Sequence, residues 1–178
     1  MDRKLWEKVV DFHGHECPGL AIGFKAAMAV IDSLEMKFSK DEEIVCITEN
    51  DACGVDAIQL LTGCTFGKGN LIYKPTGKQA YSFFSRKTGE NIRVVLKPIL
   101  KNMSREEKIG YILDSRVKDL FIFKKPNCYL PREANIYETV YCEECNEGVS
   151  ENMIKVKNGK KVCIDCYKGY NKVLQMCY

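Results

Sequence analysis

A chain of 178 residues with 46% hydrophobic content can bury a core, and its length suits one ordinary domain plus a small module or one larger domain. No apolar run approaches the roughly 18 to 20 residues of a membrane span, and the amino end, MDRKLWEKVV, is charged where a signal peptide would be apolar, so a cytoplasmic protein is expected. In a reducing compartment, ten cysteines point to metal binding or thiol chemistry rather than a disulfide framework, and a net charge of +3 is too small to imply nucleic acid.

Leu5, Trp6, Val9, Val10 and Phe12 recur at roughly helical spacing and predict a short first helix. It runs into His13-Gly14-His15-Glu16-Cys17-Pro18-Gly19, which holds both histidines of the chain. Pro18 suits a first helical turn, and Leu20, Phe24, Ala27, Met28, Ile31 and Leu34 form the apolar stripe of a second helix, with small Ala21, Gly23, Ala26 and Ala29 between them. Residues 44–48 are a β-branched run that reads as a buried strand, and the polar turn Glu49-Asn50-Asp51 leads to a third helix over 53–61.

Residues 71–73, 79–84 and 91–97 read as strands of an antiparallel meander. Ser104 and Glu107 match a capping box ahead of a fourth helix. The apolar run 120–123 either closes that helical part or adds an edge strand, and Pro126 and Pro131 bracket a linker. Between residues 68 and 101 lie eight basic residues against the single acid Glu90, a local basic segment whose ordinary role is a charged sheet face.

The tail carries Cys142-x2-Cys145 and, seventeen residues on, Cys163-x2-Cys166. Each pair can place two thiolates on one metal from a tight turn, and two such turns complete a four-sulfur tetrahedral site. The pattern lacks the consecutive cysteines of ferredoxins, so zinc is expected rather than iron, in a closed structural site. Asn158-Gly159 predicts a hairpin turn and residues 165–174 a closing helix; knuckle, hairpin and helix in that order resemble a treble-clef finger. Lys155, Lys157, Lys160 and Lys161 fall on the hairpin, yet residues 133–178 hold six basic against seven acidic residues, so the charge balance disfavours nucleic acid.

His13 and Cys17 share a face if their loop is helical, and His13 and His15 share one if it is extended. Either geometry gives two metal ligands, and Cys53 or Cys64 is the candidate to complete the site. Cys46, Cys128 and Cys177 read as packing residues. The segment GCTFGKGN at 63–70 lacks the Lys-Ser/Thr ending of a phosphate loop, although Lys68 could point a positive charge toward Cys64.

FHGHECPGLAIGFKAA from Phe12, ENDACGVDAIQLLTGCTFGKGNL from Glu49 and the YCEECNEG to VCIDCY end together resemble the FmdE family, named after the molybdenum formylmethanofuran dehydrogenase of methanogens. The resemblance implies an α+β core with a carboxyl-terminal treble-clef zinc finger, commonly as a homodimer. It places the family's motifs on His13, His15 and Cys17 and on Cys53, Asp56 and Cys64. The dehydrogenase chemistry needs a tungsten or molybdenum pterin and iron-sulfur clusters, for which no motif is present here, so an accessory role beside such an enzyme is what the resemblance implies.

The expectation is therefore an α+β fold of helices packed on an antiparallel sheet over residues 1–132, with a four-cysteine zinc finger over 133–178. One structural zinc is expected on Cys142, Cys145, Cys163 and Cys166, and a second metal on His13, His15 and Cys17 with Cys53 or Cys64. If that site is catalytic, Cys17 or a metal-activated water would be the nucleophile and a histidine the general base. Two rivals remain: a redox pair of Cys17 with Cys53 or Cys64, and a finger that docks a protein partner or nucleic acid over a purely structural core.

Overall fold

The structure, a computed structural model, describes residues 2–33, 38–99 and 102–168. The chain divides into two compact units, Met1–Ala134 and Asn135–Tyr178. Among the described residues no helix is long and apolar enough to cross a membrane.

The first unit opens with helix α1 (Arg3–His13). Asp2 caps it by accepting the Leu5 N–H at 3.1 Å, and Gly14, at φ 93°, ends it by donating its own N–H to the Val10 carbonyl. Its buried face is Trp6 and Val9, and the Trp6 ring meets Phe24 edge-on at 5.3 Å. Helix α2 (Pro18–Ser33) is apolar around most of its circumference because it lies in the centre of the core, with Leu20, Ala21, Phe24, Ala26, Ala27 and Val30 all buried. Leu34 of the expected stripe lies outside the described residues.

Strand β1 (Ile44–Thr48) is buried along its whole length, as a central strand should be. Helix α3 (Gly54–Thr62) then carries the chain to β2 (Leu71–Tyr73), which lies parallel to β1 with Cys46 opposite Leu71. Strands β3 (Ala80–Ser85), β4 (Asn91–Leu96) and β5 (Phe121–Lys124) complete a five-stranded sheet in the order β2-β1-β3-β4-β5. Between β4 and β5 come α4 (Arg105–Asp114), closed at its start by the Ser104–Glu107 capping box, and α5 (Val117–Leu120).

The α+β class is as expected, and the sheet is mixed. Residues 71–73 do not begin a meander: a parallel neighbour needs a crossover, and α3 provides it. The antiparallel run is β1-β3-β4-β5, and residues 121–124 form the edge strand at its far end.

One face of the sheet joins the helices in the main core. The other carries Val45, Ile47 and Phe84, with Ile72 and half-buried Cys128 against them. Asn70 is fully buried and ties its own loop to the start of β1 and the loop before it: its Nδ2 donates to the carbonyls of Asp41 and Ile44, both at 2.9 Å, and its Oδ1 accepts from the Thr65 N–H at 2.8 Å.

Four residues of the basic segment are engaged internally. Lys68 donates to the Ser39 carbonyl at 2.8 Å, so it serves the 38–40 loop. Arg86 bonds the Glu42 and Pro131 carbonyls, and Lys97 the Lys118 carbonyl. Arg93 pairs with buried Glu49 at 2.6 Å, and Thr76 donates to the other Glu49 oxygen at 2.8 Å.

The second unit holds two hairpins, β6 (Thr139–Tyr141) with β7 (Gly148–Ser150) and β8 (Lys155–Lys157) with β9 (Lys160–Val162). Asn158 and Gly159 turn the second with φ of 52° and 81°, the positive values a two-residue turn of the mirror type requires. Residues 164–166 form a turn, and the expected closing helix beyond residue 168 lies outside the described residues, as does Cys177.

Candidate metal centres

In the second unit the sulfurs of Cys142, Cys145, Cys163 and Cys166 all lie within 4.8 Å of one another. Four thiolates on one ion with bonds of about 2.3 Å sit roughly 4 Å apart, and Cys145 and Cys163 are already at 3.8 Å. Backbone N–H groups point at the sulfurs from the knuckle turns: Cys163 N–H reaches the Cys142 sulfur at 3.3 Å and Cys166 N–H the Cys163 sulfur at 3.4 Å. The N–H groups of Cys145, Cys163 and Glu144 stabilise the Cys142 thiolate and bring its pKa down to about 6. A cluster of this donor chemistry suits zinc.

The first unit brings together a smaller set. His13 is the last residue of α1, and the left-handed turn at Gly14 sends the chain back so that Cys17 occupies the N-cap position of α2. There the Cys17 sulfur accepts the Leu20 N–H at 3.3 Å and faces His13 Nε2 at 4.0 Å. Cys53, immediately before α3, supplies the third ligand atom, and all three lie within 4.8 Å of one another.

The two helix starts meet because α2 and α3 cross on glycines. A methyl group on Gly23 would overlap the backbone of Gly54, and one on Gly54 would sit 2.8 Å from the Gly19 carbonyl. Gly19 lies against both sulfurs, with its would-be Cβ 3.9 Å from each.

The far side of the His13 ring is anchored: Nδ1 lies 2.7 Å from Asp56 Oδ2. A carboxylate there favours the tautomer with the proton on Nδ1, which leaves the Nε2 lone pair for a metal. Gln59 donates to the other Asp56 oxygen at 3.5 Å. Cys17 is buried, while burial together with the neighbouring Cys17 raises the Cys53 thiol above its ordinary pKa. With three protein ligands, the donor set has the form of an open site rather than a closed one.

His15 and Cys64 do not join this group. The His15 ring is exposed and leans against His13 with centroids 4.5 Å apart. Cys64 is fully buried at the far end of α3, its sulfur directed at the Ile44 carbonyl at 3.5 Å, and burial pushes its thiol up to about 11. Cys46, equally buried and beside Cys64, is likewise raised by burial. These two are packing thiols.

A cleft of about 360 Å³ opens beside His13 and Cys53 at the carboxyl ends of β1 and β2, where parallel strands commonly present ligands. Its walls include Asp51, Gln59, Phe66 and Tyr73, none of which was a candidate from the sequence. Phe66 and Tyr73 leave no periodic signal, being a loop residue and a strand end. The Gly19-x3-Gly23 spacing within an apolar helix was the one readable sign of a close helix crossing.

Fold and donor sets define a two-unit α+β protein with a three-ligand cluster in its core and a four-cysteine finger attached. Residues 12–120 match the family described as FmdE, molybdenum formylmethanofuran dehydrogenase operon, and residues 135–172 match the prokaryotic dksA/traR C4-type zinc finger. The chain belongs to the FmdE family. A crystal structure of a tungsten formylmethanofuran dehydrogenase FmdE-like protein from Syntrophus aciditrophicus superposes with a TM-score of 0.68 at 26% identity, covering 92% of this chain and 90% of that one. A probable S-adenosyl-L-methionine-binding protein of Archaeoglobus fulgidus is 27% identical over 207 residues, covering 96% of this chain and 54% of the relative. The chain thus spans about half the length of that protein.

Proposed function

We propose that the core is a mononuclear zinc site held by His13, Cys17 and Cys53, with its fourth position facing the cleft, and that it binds or transforms a small molecule there; the finger holds a second, structural zinc. The observation that carries the reading is His13 fixed at Nδ1 by Asp56 while its Nε2 faces the Cys17 sulfur at 4.0 Å. A structural site has no use for an open position beside a cleft, and three ligands with an oriented imidazole suit one that admits a ligand.

Zinc bound there would supply Lewis acidity to a substrate oxygen or nitrogen. The protein's own part is to hold: Asp56 keeps the proton on Nδ1, the Leu20 N–H stabilises the Cys17 sulfur, and the Gly23–Gly54 crossing fixes the distance between the two cysteines. The description of the Archaeoglobus relative supports a small-molecule occupant, and that of the Syntrophus protein supports an accessory place in one-carbon chemistry.

Metal analysis of the purified protein tests the reading. Two zinc ions per chain are expected, falling to one in His13→Ala and in Cys17→Ala while Cys64→Ala keeps two. One zinc per chain, unchanged by these substitutions, would sink the core site. Protection of Cys17 and Cys53 from alkylation after mild peroxide treatment, in a protein with one zinc, would move the reading to a thiol redox pair.

A further inference from the structure

The cleft has a charge character that the three-ligand cluster does not require. The chain as a whole carries 27 lysines and arginines against 24 acids, yet among the described residues lining the cleft there is no lysine or arginine, whereas Asp51 and Asp56 are both there. Zinc with two thiolates and a neutral imidazole is formally uncharged, so a metal would leave the two carboxylates uncompensated. Asp56 is partly engaged by His13; Asp51 is exposed and its side chain has no hydrogen bond to another described residue. The same walls present two aromatic rings to solvent, Phe66 at 58% and Tyr73 at 41% exposure. Acid without base, beside open aromatic faces, is the combination that recognises cations whose charge is spread over alkyl groups.

We propose that the cleft takes a small organic cation, a quaternary ammonium or sulfonium group, with its charge toward Asp51 and its alkyl groups against Phe66 and Tyr73. The inference rests on the reading of the core as a small-molecule site and adds the class of molecule. Among the described residues of the cleft, an anionic ligand would meet two carboxylates and no lysine or arginine. A neutral ligand would leave Asp51 without a role.

The test compares choline with 3,3-dimethyl-1-butanol, which has the same shape and a carbon in place of the nitrogen, on the full-length zinc-loaded protein. Binding is followed by the backbone amide resonances of Ala52 and Val55, with zinc content measured on the same samples. Choline is expected to bind about tenfold more tightly than the alcohol, and Asp51→Asn and Phe66→Leu are each expected to remove most of that preference with zinc content unchanged. Equal binding of the two probes, or no saturable shift with choline, overturns the inference and leaves the zinc reading standing. A choline preference in protein that carries only the finger zinc supports the inference and removes the metal reading instead.

Discussion

Gly23 and Gly54 touch backbone to backbone, so closely that a methyl group on Gly23 would occupy the space of the Gly54 carbonyl. This contact brings the start of α3, and with it Cys53, to the start of α2, where Cys17 lies. Gly23→Ala forces the helices apart in a packed core, at a cost of about 1–3 kcal/mol. Urea unfolding of the first unit should show that loss, and under the proposed reading zinc content should fall from two per chain to one, since the cysteines would no longer reach a common ion.

Asp56 touches His13 and is not itself in the ligand cluster. Asp56→Asn removes the carboxylate that orients the imidazole, and zinc affinity in the core should fall by about 10- to 100-fold while the finger keeps its metal. Competition with a chromophoric chelator would resolve the two sites. A single release profile identical to that of the unsubstituted protein would show that Asp56 does not act through His13.

Glu49 and Arg93 form a buried pair, their side chains 5% and 12% exposed. The Arg93 hydrogen bond, with help from Thr76, holds the Glu49 carboxyl below the usual carboxylate range against the opposing effect of burial. Because the folded-state pKa is depressed, the stabilisation is complete above the ordinary glutamate pKa and is lost as pH falls through the folded value. Arg93→Met leaves a buried carboxylate without its counter-charge, with the Thr76 hydroxyl as its remaining partner, and should cost up to about 3–5 kcal/mol near neutral pH. The loss should shrink in acid, once Glu49 is protonated, in thermal unfolding at stepwise lower pH.

The finger has a buried cluster of only Cys142, Val162 and Cys163 among its described residues, with Val149 and Cys166 against it. So small a core cannot hold a fold without its metal. Chelation strong enough to strip the finger should abolish amide protection in β6 to β9 while the five-stranded sheet keeps its own. Cys145→Ser should do the same without chelator.

Helices α1 to α4, the Ser104 capping box and the Asn158-Gly159 hairpin were legible because each is fixed by residues close in sequence; the single turn α5 was not. The four finger cysteines were legible because their spacing is itself the geometry of two knuckles. The partner of β2 was not: a three-residue strand such as Leu71–Tyr73 carries no mark of whether its neighbour runs parallel, and the crossing of α3 decides it. Cys53 and Cys64 were indistinguishable in sequence, since each flanks the same helix. The nine-residue α3 separates them, so that one end meets α2 at Gly23 and the other is buried against the 44–48 strand. His15 entered as an equal of His13, but the left-handed turn at Gly14 leaves it in solvent.

Strand β1, helix α3 and strand β2 occupy one unbroken stretch, residues 44–73, and that stretch contains Cys53, Asp56 and both aromatic walls of the cleft. His13 and Cys17 arrive from a separate pair of helices made earlier in synthesis. The proposed centre is therefore assembled from two folding segments, and no ion can gain all three ligands until α1 and α2 have docked on the crossover unit. Cobalt in place of zinc would make that docking visible: the growth of thiolate-to-metal absorption from the core during refolding would time a tertiary step that backbone signals, already established by local contacts, would miss.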